Sequence, residues 1–387
     1  MSHANDGPRC DTAPRTILWA RLPDQRPKRE LFWLSLMPNT EVTEVGSPRT
    51  HPPESGIEWI DRSFRRPVSR FVEAGAFGWL RDLSSVDPRP FQWVASLELC
   101  ALVTGQLSAY AARHGIRQVV VTWENMSHQP LYRIPPYAQA TRRALGADLM
   151  LCPIEAARDH LLALDYPAER IHVVAPGVDH HRLRPAEELG VHKVGGQIAF
   201  VSPVAGNKGV DRVLQAFDLV RRSEPEARLV VAGAGPLVGL VREAEQRTGG
   251  AVRYLGTRSP AEIAELLATS DVFVTAPRAT WKWNEQFGLA YLEAMAAGIP
   301  IVTTACGTNH EAVRPPNLRV EDTPSALAEG LLHFLRDDGA RADVGAANRR
   351  TVLERHDMTT QAAAMAAAFD AVESLPLRAR RPGGRAR

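Results

Sequence analysis

The second half of the chain imposes the tightest limit on its fold. Strand-like runs at 197–202, 228–232, 252–255, 271–275 and 300–304 alternate with helix-like stretches at 209–222, 237–247, 260–268 and 288–297. Such regularity implies a parallel, right-handed, doubly wound α/β sheet. In open sheets of this kind, ligands gather beyond the carboxyl ends of the strands.

Residues 285–303 read EQFGLAYLEAMAAGIPIVT. Phe287, Leu289, Leu292, Met295 and Ala296 recur at helical spacing, so an amphipathic helix begins after Gly288. Gly298 suits a left-handed C-cap, Pro300 blocks continuation, and Ile299–Thr303 reads as a short strand. The helix start offers unpaired N–H groups and a partial positive charge, a seat for a phosphate. Gly288 removes a side chain where a ligand would approach the backbone. Glu285 stands beside that seat and Glu293 further along the helix. For two isolated glutamates, preference for the helix dipole would be explanation enough.

The glutamates are not isolated. Glu, seven residues, Glu, with Phe-Gly after the first and Glu-Ala-Met-Ala-x-Gly-x-Pro-Ile at the second, resembles the signature of retaining, nucleotide-sugar-dependent glycosyltransferases of family 4. Ile301 stands at the Val-like position. The resemblance covers residues 170–315 well and the first half in outline. It implies the GT-B fold, α/β with two Rossmann-like doubly wound parallel-sheet domains facing a cleft. It also implies a hexosyltransferase that moves a hexose from a UDP- or GDP-sugar to an acceptor hydroxyl with retention.

The same resemblance assigns roles. Glu285 would contact the transferred sugar and Glu293 the ribose hydroxyls, while Gln286, Phe287, Gly288 and Leu289 form the turn whose backbone holds sugar and phosphate. Lys208-Gly209 match the family's Lys-Gly, so Lys208 would meet the donor diphosphate as a point charge. Glu285 and Lys208 are thus the catalytic candidates. Pro203 stands where the family carries arginine. Arg278 or Lys282 would substitute, and plain surface charge explains both equally well. Gly233 and Gly235 resemble the Gly-x-Gly-Pro turn beside the nucleotide. Tyr254 ends the next strand, near the expected base, although a packed aromatic is the plainer reading. Gly307–Glu311 resembles a Gly-Gly-x-x-Glu loop with Thr308 in place of the second glycine, and leaves His310 facing the acceptor or the surface.

The first half is read more coarsely. Residues 16–20 form a strand, 29–37 a helix, 41–45 and 57–61 strands, 66–92 an irregular stretch and 93–114 a helix. A buried strand at 117–122 leads into Trp123–His128, where Glu124 and His128 are acceptor-side candidates and loop hydrogen bonding is the alternative. The loop 23–27 lacks the glycines common after this first strand in the family. At 175–179, Gly177 suits an unusual backbone angle and Asp179 a cap. His180 and His181 are too few for a metal site and read as solvated loop residues.

The organisation expected is a disordered 1–14, an acceptor-binding domain 15–183, a linker 184–196, a nucleotide-sugar domain 197–358, a helix 359–375 crossing back, and a basic disordered tail 376–387. Net charge is +2, so no global field argues for nucleic acid. Four scattered cysteines suggest reduced thiols. Without an apolar run of about 18 residues, a cytoplasmic protein with at most peripheral membrane contact through the tail is expected. No cofactor is expected, because Lys208 and the helix start stand in for a metal and no Asp-x-Asp pair is present. Oligomeric state is not legible. The alternatives are a sugar-nucleotide 2-epimerase of the same fold and a nucleotide-sugar-binding protein weakened in catalysis, the latter motivated by Pro203.

Overall fold

The computed structural model describes residues 13–20, 33–46, 58–62, 64–65, 78–126, 130–281 and 283–379. In the first half, β1 (Arg15–Ala20), β2 (Thr40–Gly46) and β3 (Glu58–Asp61) precede a short antiparallel pair, β4 (Phe64–Arg65) with β5 (Trp79–Leu80). Then come β6 (Trp93–Leu97), α1 (Leu102–His114), β7 (Arg117–Val121), α2 (Pro135–Ala144), β8 (Leu149–Cys152), α3 (Glu155–Ala163) and β9 (Ile171–Val173). The main sheet has seven strands in the order β3-β2-β1-β6-β7-β8-β9, all pairings parallel.

The helical turn α4 (Ala186–Leu189) leads into the second sheet. There β10 (Gln197–Val201), α5 (Val210–Ser223), β11 (Arg228–Ala232), α6 (Val238–Arg247), β12 (Val252–Gly256), α7 (Pro260–Ala268), β13 (Val272–Thr275), α8 (Leu289–Ala296), β14 (Ile301–Thr304) and β15 (Leu318–Val320) follow in turn. Strand order is β12-β11-β10-β13-β14-β15, again parallel throughout. Ile198, Phe200, Val272 and Val274 are fully buried because helices cover both faces. Successive connections leave β10 toward opposite edges, which opens a crevice at its carboxyl end. Three further helices close the chain, α9 (Pro324–Arg336), α10 (Asp338–Arg355) and α11 (Met358–Glu373).

Three expectations need correction, and the linker gains detail. Residues 93–114 are not one helix, because Trp93–Leu97 is a central strand buried on both faces and Glu98 breaks the chain with φ of +65°. A fully buried strand carries no alternation, so periodicity cannot separate it from a helix. The stretch 66–92 is not wholly irregular, since Trp79–Leu80 pairs with Phe64–Arg65. The linker 184–196 is packed: it holds α4, and Val194 N–H donates to the Thr269 carbonyl at 2.8 Å. The tail 376–387 is docked over its described part. Arg170 donates to the Pro376 carbonyl at 2.6 Å, Arg378 N–H to Asp148 at 2.9 Å, and the Arg378 guanidinium lies 4.5 Å over the Tyr166 ring. Residues 1–12, the loop 23–27 and 380–387 lie outside the described residues.

Helix α11 returns to the first domain. Phe369 meets the Trp93 ring edge-on at 4.6 Å, and Glu373 accepts from Trp93 Nε1 and Arg15 Nε at 2.9 Å each. At the crossing between domains, Val178 N–H donates to the His356 carbonyl and His356 Nδ1 donates to the Pro176 carbonyl, both at 2.9 Å. Gly177 has no left-handed backbone; its missing Cβ instead admits Met358, whose Cα would lie 2.9 Å away. Asp179 caps the following turn through Arg182 N–H, and His180 sits 3.1 Å from Asp357 rather than in open solvent.

Burial lowers the pKa of His356, and of His160 and His172, below the ordinary histidine value near 6.5. Between that value and the depressed folded-state ones, the unfolded chain binds more protons. Stability is therefore full above pH 6.5 and lost as pH falls through the folded-state values. Thermal denaturation should show Tm declining from pH 7 to 5.5, with the decline shallower in His356→Gln. An identical slope in that variant would remove His356 from the account.

Candidate active site

The site grows from α8. Gly288 caps it with φ and ψ both +80°, and a Cβ there would lie 2.3 Å from the Tyr291 ring. That ring is fixed because the Tyr291 hydroxyl bonds Thr275 at 3.0 Å and Thr303 at 2.9 Å. The helix tip is thus pinned over β13 and β14. Its other end is a Schellman motif, with Gly298 N–H on the Met295 carbonyl and Ile299 N–H on that of Ala294.

Lys208 closes a single turn, Gly206–Lys208, after β10. Gly209 follows with φ of +68°, and a Cβ there would fall 1.8 Å from the Ala276 carbonyl oxygen. This close approach brings the two loops together, with Ala276 N–H on the Lys208 carbonyl at 3.3 Å and Arg278 N–H on that of Asn207 at 3.0 Å. The Lys208 ammonium then lies 2.7 Å from Glu285 Oε2 and 4.5 Å over the Trp283 ring. Both side chains of the pair are largely buried, at 18% and 8% exposure. Glu285 and Lys208 are therefore brought together as one ion pair. An ammonium has three donors, so Lys208 has further hydrogen-bonding capacity beyond Glu285.

Glu293 lies elsewhere on the same helix. With Ala290 it lines a cavity of about 690 Å³ against Ser202, Pro203, Gly233 and Arg258. The cavity sits at the carboxyl ends of β10, β11 and β12, at the crevice the topology creates. Lys208 and Glu285 are not among its lining residues. Gly233 passes the Ser202 carbonyl and Gly235 that of Val204, where a Cβ would stand 2.0 and 2.3 Å away. Gly233 lines the cavity and Gly235 does not. Tyr254 donates to the Gly233 carbonyl at 3.0 Å and so braces this wall. Phe287 is buried in the core, 6.4 Å from Trp123 and 6.1 Å from His356 between ring centroids. Leu289 is the first residue of α8, and the Gln286 carbonyl accepts from Thr308 Oγ1.

Arg278 is held in place beside the Lys208 loop. Its guanidinium donates to both Asp211 oxygens at 2.8 and 2.9 Å and to the Gly206 carbonyl, bracing the Lys208 loop. Lys282 and His128 lie outside the described residues. Arg182 and Arg258 are the arginines on the cavity wall with Pro203, and both also meet a carboxylate, Asp179 and Glu262. Glu124 is buried and accepts from Met126 N–H at 2.8 Å and the Tyr132 hydroxyl at 3.3 Å. His310 is exposed. Cys100, Cys152 and Cys306 are free and buried. Among the described residues no group of three His, Cys, Asp or Glu is arranged around a metal position, and no helix is long and apolar enough to cross a membrane.

Sequence reasoning missed Trp283 and Asn125. Nothing in the spacing marks Trp283 as the ring under Lys208. Asn125 adjoins Glu124 at the carboxyl end of β7, and only that position could have drawn notice.

Two parallel-sheet α/β domains, six parallel strands in the second and seven in the first, have the architecture of the GT-B fold. Solved structures agree on the fold. Anabaena Alr3699/HepE in complex with UDP superposes with a TM-score of 0.70 at 15% identity, covering 92% of this chain and 99% of that one. Sucrose-phosphate synthase from Thermosynechococcus elongatus gives 0.69 at 15% identity, over 94% and 100%. Residues 187–351 match the sequence model of the family Glycosyl transferases group 1. A GDP-mannose-dependent monoacylated alpha-(1-6)-phosphatidylinositol monomannoside mannosyltransferase of Corynebacterium glutamicum is 31% identical over 46% of this chain and 50% of its own length. A GDP-mannose-dependent alpha-(1-6)-phosphatidylinositol monomannoside mannosyltransferase of Mycobacterium tuberculosis is 26% identical over 79% and 78%. A D-inositol 3-phosphate glycosyltransferase of Salinispora arenicola is 31% identical over 50% and 48%. The chain thus spans about half the length of the first and third of these relatives.

Proposed function

We propose that this protein transfers a hexose from a nucleotide sugar to an acceptor hydroxyl with retention of configuration, and that GDP-mannose is the first donor to try. The observation that carries the reading is the Lys208–Glu285 pair at 2.7 Å, three residues ahead of the Gly288 cap. The nucleoside lies in the cavity walled by Glu293 and Gly233, with the Glu293 carboxylate accepting from the ribose hydroxyls. The diphosphate lies across the start of α8, which supplies N–H donors and positive potential.

As the glycosidic bond breaks, charge moves onto the leaving diphosphate, and the Lys208 ammonium and the helix start stabilise it there. The carboxylate of Glu285 faces the positive charge developing on the sugar. Attack on the face the diphosphate leaves, with that diphosphate taking the acceptor proton, gives retention without a dedicated protein base. The chain then contributes position and electrostatics. No metal ion is needed in this scheme, because Lys208 and α8 supply its charge. The cytoplasmic face is the natural place for the reaction, where nucleotide sugars are made.

Incubation with radiolabelled GDP-mannose, UDP-glucose and UDP-N-acetylglucosamine tests the reading. The expected result is nucleotide release from at least one donor, with a rate unchanged within about two-fold by EDTA. Free epimerised sugar nucleotide would instead make the protein a 2-epimerase. Binding without turnover would make it a binding protein.

A further inference from the structure

We infer that Asn125, from the acceptor-side domain, is a positioning residue that sets the Glu285 peptide through Thr308, so that docking of the two domains completes the donor-sugar site. This rests on the role given to Glu285 above.

Glu285 is held by more than its ion pair. The loop after β14 runs directly beneath it. Gly307 has φ of +55° and passes so close that a Cβ would meet the Glu285 carbonyl oxygen at 2.2 Å. Thr308 N–H donates to that same carbonyl at 2.9 Å, and the Thr308 hydroxyl donates to the carbonyl of Gln286. Buried Asn309 fixes the loop in turn, donating to the Thr304 carbonyl at 2.9 Å. Thr308 has φ of −102°, so nothing in the backbone calls for the glycine that the family pattern places here. The side chain is therefore available for another task.

That task is visible across the cleft. Asn125 Nδ2 donates to the Thr308 hydroxyl at 3.0 Å and to the Glu285 carbonyl at 3.2 Å. One amide from the first domain thus feeds both links that fix the Glu285 peptide. The loop's far end is tied across as well. Glu311 accepts from Glu155 N–H at 2.7 Å and Ala156 N–H at 3.1 Å, capping α3 of the first domain. A carboxylate at a helix start is a favourable contact, and here it joins two domains. The loop from Gly307 to Glu311 therefore latches the acceptor-side domain to the peptide that carries Glu285. Opening the cleft releases both ends, and Glu285 loses part of its restraint.

Catalytic groups must be held to a fraction of an ångström, and displacement by about 1 Å can cost roughly a hundred-fold in rate. The test is kinetic and structural together. With GDP-mannose as donor and GDP release as the readout, Asn125→Ala should lower kcat about ten-fold or more. The Kd for GDP and the Tm should stay close to wild type. Thr308→Val removes the hydroxyl at equal size and should lose a similar factor, whereas Thr308→Ser should keep most of the rate. Because the two residues share the Asn125–Thr308 contact while each keeps a bond of its own to the 285–286 backbone, the double variant should lose less than the product of the two single losses. Hydrogen exchange in Asn125→Ala should quicken in peptides covering 285–289 and 306–311. A kcat within two-fold of wild type in Asn125→Ala overturns the proposal, as does a loss of GDP affinity equal to the loss of rate. Should wild type release no nucleotide from any donor, the proposed function fails. The exchange experiment then decides the latch alone, and unchanged exchange would sink it.

Discussion

Glu285→Gln should reduce sugar transfer by about two to three orders of magnitude while leaving GDP or UDP affinity within about three-fold. Glutamine preserves the size of the side chain and one accepting oxygen. It removes the negative charge. In the ground state the sugar is neutral, so that charge adds little to binding. In the transition state positive charge builds on the sugar ring, and a carboxylate in a largely buried position acts with little solvent screening. Glu285 exposes only 8% of its side chain, so water cannot replace it. The substitution also releases Lys208 from its partner at 2.7 Å. A freed ammonium binds a diphosphate at least as well, which sets the sign: nucleotide affinity holds or improves as turnover collapses. Calorimetry with GDP or UDP and single-turnover transfer separate the two quantities. A variant retaining more than a tenth of the wild-type rate would remove Glu285 from the chemistry.

How much of this was legible depended on the kind of signal. The helix at 289–296 carried a cap glycine, helical spacing and a terminating glycine-proline pair, and each is a local instruction. The parallel topology of the second domain followed from alternation, which is also local. What failed to show was long-range. Residues 93–97 looked helical because a strand flanked on both sides by others has no polar face to betray its period. The docking of Arg378 onto Tyr166 depends on a fold 212 positions back along the chain, and a basic tail alone cannot announce it. Arg278 illustrates the converse. Its charge and place suggested a phosphate contact, and only the folded chain reveals that its guanidinium already serves Asp211 and the Gly206 carbonyl. Thr308 reads as a departure from a glycine pattern in sequence and as a hydrogen-bond relay in space. Single residues at expected positions were visible, and the partners that decide their work were not.

Lys208→Met should separate the two duties of its ammonium. As the proposed diphosphate ligand it would make a charge-assisted contact, and such contacts contribute roughly 1.5–3 kcal/mol. Affinity for GDP or UDP should therefore fall about ten- to a hundred-fold, with a further loss in turnover as charge develops on the leaving group. As the partner of Glu285, Lys208 also neutralises a carboxylate with little access to water. Its removal leaves that charge uncompensated. Full burial would cost about 3–5 kcal/mol, and the 18% exposure of the lysine side chain places the expected loss somewhat lower, at about 1–3 kcal/mol. Methionine keeps the aliphatic contact with Trp283, so lost packing contributes little. The double variant Lys208→Met/Glu285→Gln resolves the pair. It should recover most of the lost stability, since no unpaired charge remains, yet recover none of the nucleotide affinity. Urea unfolding and calorimetry on the four proteins of this cycle give both terms. If the double variant regains affinity together with stability, Lys208 serves only to hold Glu285 and the diphosphate is bound elsewhere.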